Sequence, residues 1–130
     1  QREFTSLQEM LQKENCDPTI VPTWIPDRFV LETLEKMATP MMELYTAQYI
    51  DGNQQLLIQI TSHLTEDIRN NEIENDPIEI YSHNGIDYYI CENQDQLRAI
   101  WLVDPYECLI SGDVSIDELK MMIDSIRKGE

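Results

Sequence analysis

The sequence predicts an α+β fold: a curved antiparallel β-sheet of about six to seven strands arranged as a meander, with one helix near each end of the chain packed on it. Three observations support this fold class. Residues 86–91, 97–103 and 106–110 are rich in β-branched and aromatic residues and are separated by turn residues. Residues 41–51 and 54–62 alternate between apolar and polar side chains. Both ends of the chain carry apolar residues at helical spacing.

If Asp104-Pro105 is a two-residue turn, it determines which residues of the neighbouring predicted strands pair with each other. Trp101 then faces Cys108, and a four-residue loop over 93–96 places Tyr88 opposite Trp101. One face of this predicted meander is uncharged and consists of Ile86, Tyr88, Ile90, Ala99, Trp101, Val103, Tyr106, Cys108 and Ile110. The opposite face mixes polar and apolar side chains: Asp87, Tyr89, Cys91, Arg98, Ile100, Leu102, Glu107, Leu109 and Ser111.

The remaining strands are predicted from turn signals and alternation. A two-residue turn at Asp51-Gly52 or Gly52-Asn53 joins the strands 41–51 and 54–62 and separates an apolar face from a largely polar one. The apolar set is Tyr45, Ala47, Tyr49, Leu56, Ile58 and Ile60. We expect a first strand over residues 28–37, and a strand over 78–82 that returns through Asn84-Gly85.

The predicted helices and the segment between them divide the chain into two regions. Residues 1–19 form an N-terminal amphipathic helix, over 4–14, and a linker, and residues 20–130 form one sheet domain with a closing helix. The prolines within 17–26 favour an extended lead-in and argue against a helix there. Ser115 with Glu118 forms a capping box that starts the closing helix, which we expect to lie on the face of Trp101.

The net charge limits the classes of binding partner, and the cysteine content indicates whether disulfides are expected. The formal net charge of -16, with nine Lys and Arg residues, disfavours nucleic acid and anionic membrane surfaces, because both bind through cationic side chains. No segment reaches the ~18 apolar residues of a spanning helix, so we expect no direct membrane insertion by residues 1–130. Cys16, Cys91 and Cys108 are odd in number, and we expect free thiols.

No catalytic, cofactor or metal motif is present in the sequence. His63 and His83 lack a second ligand at metal spacing, and we expect both to face solvent. The acidic stretch 63–77 does not have the spacing of a calcium-binding EF-hand loop and is predicted to be a solvated connection. Cofactors and metals are therefore predicted to be absent, and catalysis is disfavoured.

Several sequence features together resemble the bacterial domain-of-unknown-function family 4367. They are Trp-Ile-Pro at 24–26, the paired aromatics of 84–90, Ala-Ile-Trp at 99–101 and the helix start at 115–119. The resemblance covers residues 20–127 and implies a curved antiparallel sheet similar to that of lipoprotein carriers. It also implies an extracytoplasmic location in a membrane-anchored, anti-sigma-factor-like protein, with the anchor upstream of Gln1. It brings no reaction and no site residue.

We therefore expect a non-enzymatic extracytoplasmic binding or sensing module that takes a lipid, peptide or partner domain on the mixed face. Tyr89, Ile100, Leu102 and Leu109 would supply apolar contact, and Arg98 a polar one. One alternative covers that face with the N-terminal helix as ordinary core. A second alternative is a small thiol-dependent hydrolase that uses Cys91 or Cys108, with His83 as a possible partner of Cys91, and a third is a structural spacer domain.

Overall fold

The computed structural model describes residues 4–63 and 77–130. It confirms the predicted α+β class, with one open, seven-stranded antiparallel sheet and a helix near each end of the chain. In chain order the elements are α1 (Leu7–Lys13), a 3-10 helix (Pro18–Ile20), β1 (Val30–Ala38), β2 (Met42–Asp51), β3 (Gln54–His63), β4 (Glu79–His83), β5 (Ile86–Asn93), β6 (Gln96–Val103), β7 (Tyr106–Gly112) and α2 (Ile116–Asp124).

The sheet consists of two runs of hairpin-connected strands that meet in its middle. The strand order is β1-β2-β3-β7-β6-β5-β4, so β3 pairs with β7, the last strand of the chain. The predicted pairing of Trp101 with Cys108 is confirmed, and Val103 pairs with Tyr106 in the same hairpin. Within the β2–β3 hairpin, Asp51 pairs with Gln54, so Gly52-Asn53 is the turn.

A few local predictions need correction. The first strand begins at Val30 rather than at residue 28. The lead-in over 17–26 contains one turn of 3-10 helix, because Asp17 accepts a hydrogen bond from the Thr19 amide at 2.9 Å and caps it. The loop between β5 and β6 is shorter than expected, since Asn93 pairs with Gln96 around a two-residue turn. The predicted acidic connection spans residues 63–77, and its residues 64–76 lie outside the described part of the chain.

The core lies on one face of the sheet and includes both helices. Trp101 and Tyr45 are fully buried there, and Trp101 packs on Tyr88 with ring centroids 5.1 Å apart. From α1, Leu7, Met10 and Leu11 join the same cluster, and α2 contributes Leu119, Met122, Ile123 and Ile126. The expected position of α2 on the Trp101 face is therefore confirmed.

Helix α1 packs on this same face, as several polar contacts show. Glu14, the residue that caps α1, pairs with Lys36 Nζ at 2.6 Å. Two residues further on, Cys16 Sγ lies 3.6 Å from Tyr45 Oη, and the Asp17 amide donates to Tyr106 Oη at 3.1 Å. The alternative in which α1 covers the mixed face is therefore wrong. The apolar stripe of a helix does not reveal which face of a sheet it covers, because both faces offer apolar side chains.

Candidate functional site

The face of the sheet opposite the core is the candidate site, and we call it the open face. It carries side chains of every strand, and within the described chain neither helix packs on it. Its two most buried apolar residues, Ile100 and Cys91, are not part of the core cluster that contains both helices. The mixed composition predicted for this face thus belongs to a surface that the described helices leave uncovered.

A row of apolar side chains crosses four strands on the open face. Ile80 pairs with Tyr89, Tyr89 with Ile100, and Ile100 with Leu109. On the next strand the row continues into Gln59, so its apolar character ends at the middle of the sheet. We call Ile80, Tyr89, Ile100 and Leu109 the apolar row. Register alone aligns these residues, which come from four separate segments of the chain.

The two neighbouring rows carry opposite charges. On one side Arg98 lies between Cys91 and Ser111, and its buried Nε has no hydrogen-bond partner in the described part of the chain. On the other side Leu102 pairs with Glu107, and Glu107 pairs with Thr61. Because Arg98 and Glu107 lie on opposite sides of the apolar row, a bound molecule would meet a cation at one edge and a carboxylate at the other.

The structure places the predicted contact residues together on this face, with very different exposure. Leu102 is 45% exposed, whereas Ile100 is 4% exposed between its cross-strand neighbours. Tyr89, Arg98 and Leu109 are half-buried. Their proximity follows from the confirmed register, and their role in binding stays a prediction. Ile80, which is 53% exposed, extends the row to the edge strand and was not part of the predicted set.

Sequence reasoning missed a buried pair at one end of the open face. His63 Nε2 lies 3.0 Å from Glu107 Oε1, and their side chains are 3% and 8% exposed. The expectation that both histidines face solvent is therefore wrong for His63. His83 is half-buried on the core side, where its Nε2 lies 3.1 Å from the Ile126 carbonyl oxygen. The β3–β7 pairing brings His63 and Glu107 together, and no local sequence pattern predicts that these two strands pair.

A cavity of about 60 Å³ lies beside this pair and is partly open. Its lining consists of Gln59, Thr61, Ile100, Glu107, Cys108 and Leu109. Apart from Cys108, whose side chain belongs to the core, these residues have their side chains on the open face. Two members of the predicted contact set, Ile100 and Leu109, therefore form the apolar wall of a small polar cavity.

The thiols do not form the pair that a hydrolase would need. Cys91 lies on the open face, paired with Arg98, whereas His83 contacts α2 on the core side. Burial raises the pKa of the Cys91 thiol, although Arg98 opposes the shift, and burial raises the pKa of Cys108 as well. All three cysteines are free thiols, as predicted. A high thiol pKa disfavours the thiolate that nucleophilic catalysis requires.

Two further properties of the described residues concern metals and membranes. Within 4–63 and 77–130, no three His, Cys, Asp or Glu side chains gather closely enough to hold a metal ion. In the same part of the chain, no helix combines the length and hydropathy needed to cross a bilayer.

The sequence matches the family described as a domain of unknown function (DUF4367) over residues 19–126. The chain belongs to this family. The match includes all seven strands and α2 of this DUF4367 domain, while α1 precedes it. A search of the curated proteins found no match.

Proposed function

We propose that this DUF4367 domain is a non-enzymatic binding or sensing module whose open face receives an apolar segment of a partner protein. The observation that carries the proposal is the apolar row on the side of the sheet that no described helix covers. A sheet face without a packed layer normally carries polar residues. Four consecutive apolar side chains there are typical of a surface that contacts another molecule.

The apolar row and the adjacent Leu102 together offer both exposed and ordered contact area. Ile80 and Leu102 are about half exposed, so a partner that covers them removes apolar surface from water. Ile100 is already buried between Tyr89 and Leu109, so little side-chain freedom remains there to be lost on binding. Arg98 can donate hydrogen bonds to a carboxylate or a backbone carbonyl of the partner.

Among the expected ligands, a peptide or partner domain fits this face better than a lipid. The net charge of -16 repels anionic headgroups. The apolar row is one side chain wide and is bordered by Arg98 and Glu107, so an acyl chain lying on it would stay partly in water. A protein segment can place apolar groups on the row and polar groups at both borders.

An extracytoplasmic, membrane-anchored location is part of the proposal and rests on the family resemblance. Protease treatment of intact cells tests it on the full-length protein. Digestion of the domain in intact cells, with a cytoplasmic marker left intact, supports the location. Protection until the cells are lysed overturns it.

An apolar dye titration tests the binding surface. We expect the native protein to bind Nile red, an apolar dye without charge, and Leu102→Gln to weaken binding about fivefold, because covering a half-exposed Leu contributes about 1 kcal/mol. Met121→Gln is the matched control, since Met121 is 52% exposed on α2. Circular dichroism confirms that each variant is folded.

Equal loss in both variants, or no dye binding by the native protein, would remove the open face as a binding surface. The spacer alternative predicts that second result. The hydrolase alternative instead predicts a reactive Cys91 or Cys108, which thiol labelling of the native protein measures.

A further inference from the structure

We propose that the cavity beside Glu107 is a pocket for a primary ammonium group, and that its occupant is a lysine side chain of the partner protein. The inference rests on the proposed function and names the chemistry that the partner presents. It assigns a polar anchor to the end of the open face opposite Arg98.

The first argument is the state of the Glu107 carboxylate. Its side chain is 8% exposed, and its Oε1 accepts no hydrogen bond within the described residues, although His63 Nε2 lies 3.0 Å away. A carboxylate has about four acceptor positions, so one contact with an imidazole does not saturate it. Burial without full hydrogen bonding costs free energy, and a ligand that donates to Glu107 recovers it.

The second argument is the set of acceptors around the cavity. Glu107, Gln59 and Thr61 all belong to its lining, and their side chains carry a carboxylate, an amide oxygen and a hydroxyl group. An ammonium group has three N–H donors and no acceptor, so it suits a lining whose side chains offer three acceptor groups. Ile100 and Leu109 form the apolar part of the lining, which suits the methylene stem of a lysine.

The third argument is size. One water needs about 10–15 Å³ of such space, so a cavity of about 60 Å³ admits a few non-hydrogen atoms. The end of a lysine side chain fits that volume, whereas a planar guanidinium with its five donors is larger and has fixed geometry.

The fourth argument is long-range electrostatics. A net charge of -16 raises the local concentration of cations and speeds the approach of a basic partner. The field explains attraction in general, and the Glu107 cavity explains where one ammonium group would be held.

The test compares two blocked amino acids in an NMR titration. The probes are N-acetyl-lysine N-methylamide and N-acetyl-norleucine N-methylamide, whose side chains share a four-carbon chain and differ in the terminal ammonium group that only lysine carries. We expect the lysine probe to shift the methyl resonances of Ile100 and Leu109 with saturation. The norleucine probe should bind at least about tenfold more weakly, since it cannot make a charge-assisted hydrogen bond.

Two variants test whether the lysine probe binds at Glu107. Glu107→Gln keeps the shape of the side chain, and we expect it to weaken the lysine probe about tenfold or more. Asp87→Asn is the matched control, because Asp87 lies on the same face but outside the cavity, where Ser82 Oγ donates to it at 2.6 Å. It removes the same charge and should change the affinity less than twofold. Thr61→Val provides a second weakening variant if Glu107→Gln does not fold.

Three outcomes would overturn the proposal: equal binding of both probes, equal effects of the two carboxylate variants, and shifts confined to residues outside the cavity. A preference for vesicles that contain phosphatidylethanolamine over the lysine probe would assign the ammonium to a lipid and overturn the protein partner. Dye binding that depends on Leu102, together with no response to the lysine probe, would refute the pocket while the proposed function stands.

Discussion

At the scale of single residues, Arg28 connects the start of the sheet to the closing helix. Its Nη2 donates to Glu118 Oε1 at 3.2 Å and to the Asp113 carbonyl oxygen at 3.0 Å. Its Nε lies 3.4 Å from Asp51 Oδ2. The hydrogen bond from Arg28 lowers the pKa of Glu118, and partial burial of the carboxyl opposes that shift. A single cation therefore contacts the end of β2, the residue that follows β7, and α2.

This contact predicts a pH-dependent contribution to stability. We expect Arg28→Ala to lower the free energy of unfolding by about 1 kcal/mol at pH 7. Because the folded-state pKa of Glu118 lies below its ordinary value of 4.5, this contribution is present above pH 4.5 and is lost as the pH falls through the folded-state pKa. Urea denaturation at pH 7 and at pH 3 measures it. Arg127→Ala, which removes an exposed pair with Glu130, is the control. A loss that persists undiminished at pH 3 would contradict the assignment.

The thiols give a second prediction at this scale. Cys16 is half-buried, whereas Cys91 and Cys108 are buried and have raised pKa values. We expect iodoacetamide at pH 8 to modify Cys16 first in the native protein, and all three thiols at similar rates in denaturant. Peptide mass spectrometry identifies the modified residue. Modification of Cys91 before Cys16 would contradict this prediction and would support the alternative hypothesis of a thiol-dependent hydrolase.

At the scale of elements, the pairing of β3 with β7 holds the two runs of strands together. We call this pairing the seam. Gly112 lies on it, opposite Leu56. A methyl group at Gly112 would stand 2.6 Å from the Gln55 carbonyl oxygen and 2.9 Å from Leu56 Cα. Both are backbone atoms of β3, which cannot yield as the end of a flexible side chain would, so the β3–β7 pairing requires glycine at this position.

We expect Gly112→Ala to destabilise the protein by about 3 kcal/mol and to speed amide hydrogen exchange along β3 and β7. Gly52→Ala is the comparison, because a methyl group there meets nothing within 4 Å and costs only the strain of its positive φ, about 1 kcal/mol. Equal exchange along the seam in the two variants would show that the close approach is unimportant.

The same seam marks the limit of what the sequence predicts. Alternation and turn residues such as Asn84-Gly85 specify hairpins, because strand partners there are close in the chain. The turns Asn84-Gly85 and Gly52-Asn53 fix register on both sides of the seam. The partnership of β3 with β7 joins strands distant in sequence, and it creates the His63–Glu107 pair and its cavity. Composition predicted the mixed face, but only tertiary packing determines which side α1 covers.

At the scale of the whole molecule, the charge of -16 acts against compactness. Like charges repel one another over about 30 Å at 0.01 M salt and over about 8 Å at 0.15 M. Screening therefore relieves more repulsion in the folded state than in the expanded one.

We accordingly expect the melting temperature to rise between 10 mM and 150 mM sodium chloride at pH 7. Differential scanning calorimetry measures it, and a sucrose series at constant salt controls for general solvent effects. A melting temperature that falls with salt would mean that the described ion pairs outweigh the net repulsion.

The segment that leads into the sheet meets the C-terminal residues of the chain on the core side of the sheet, where α1 also lies. The Lys128 amide donates to the Thr19 carbonyl oxygen at 3.0 Å, and Ser125 Oγ accepts from the amides of Thr23 and Trp24. A tether joined at either end would thus start from the side that carries the helices. Immobilising the protein on a sensor chip through a terminal tag should leave the opposite surface pointing outward, fully available to molecules in the flowing sample.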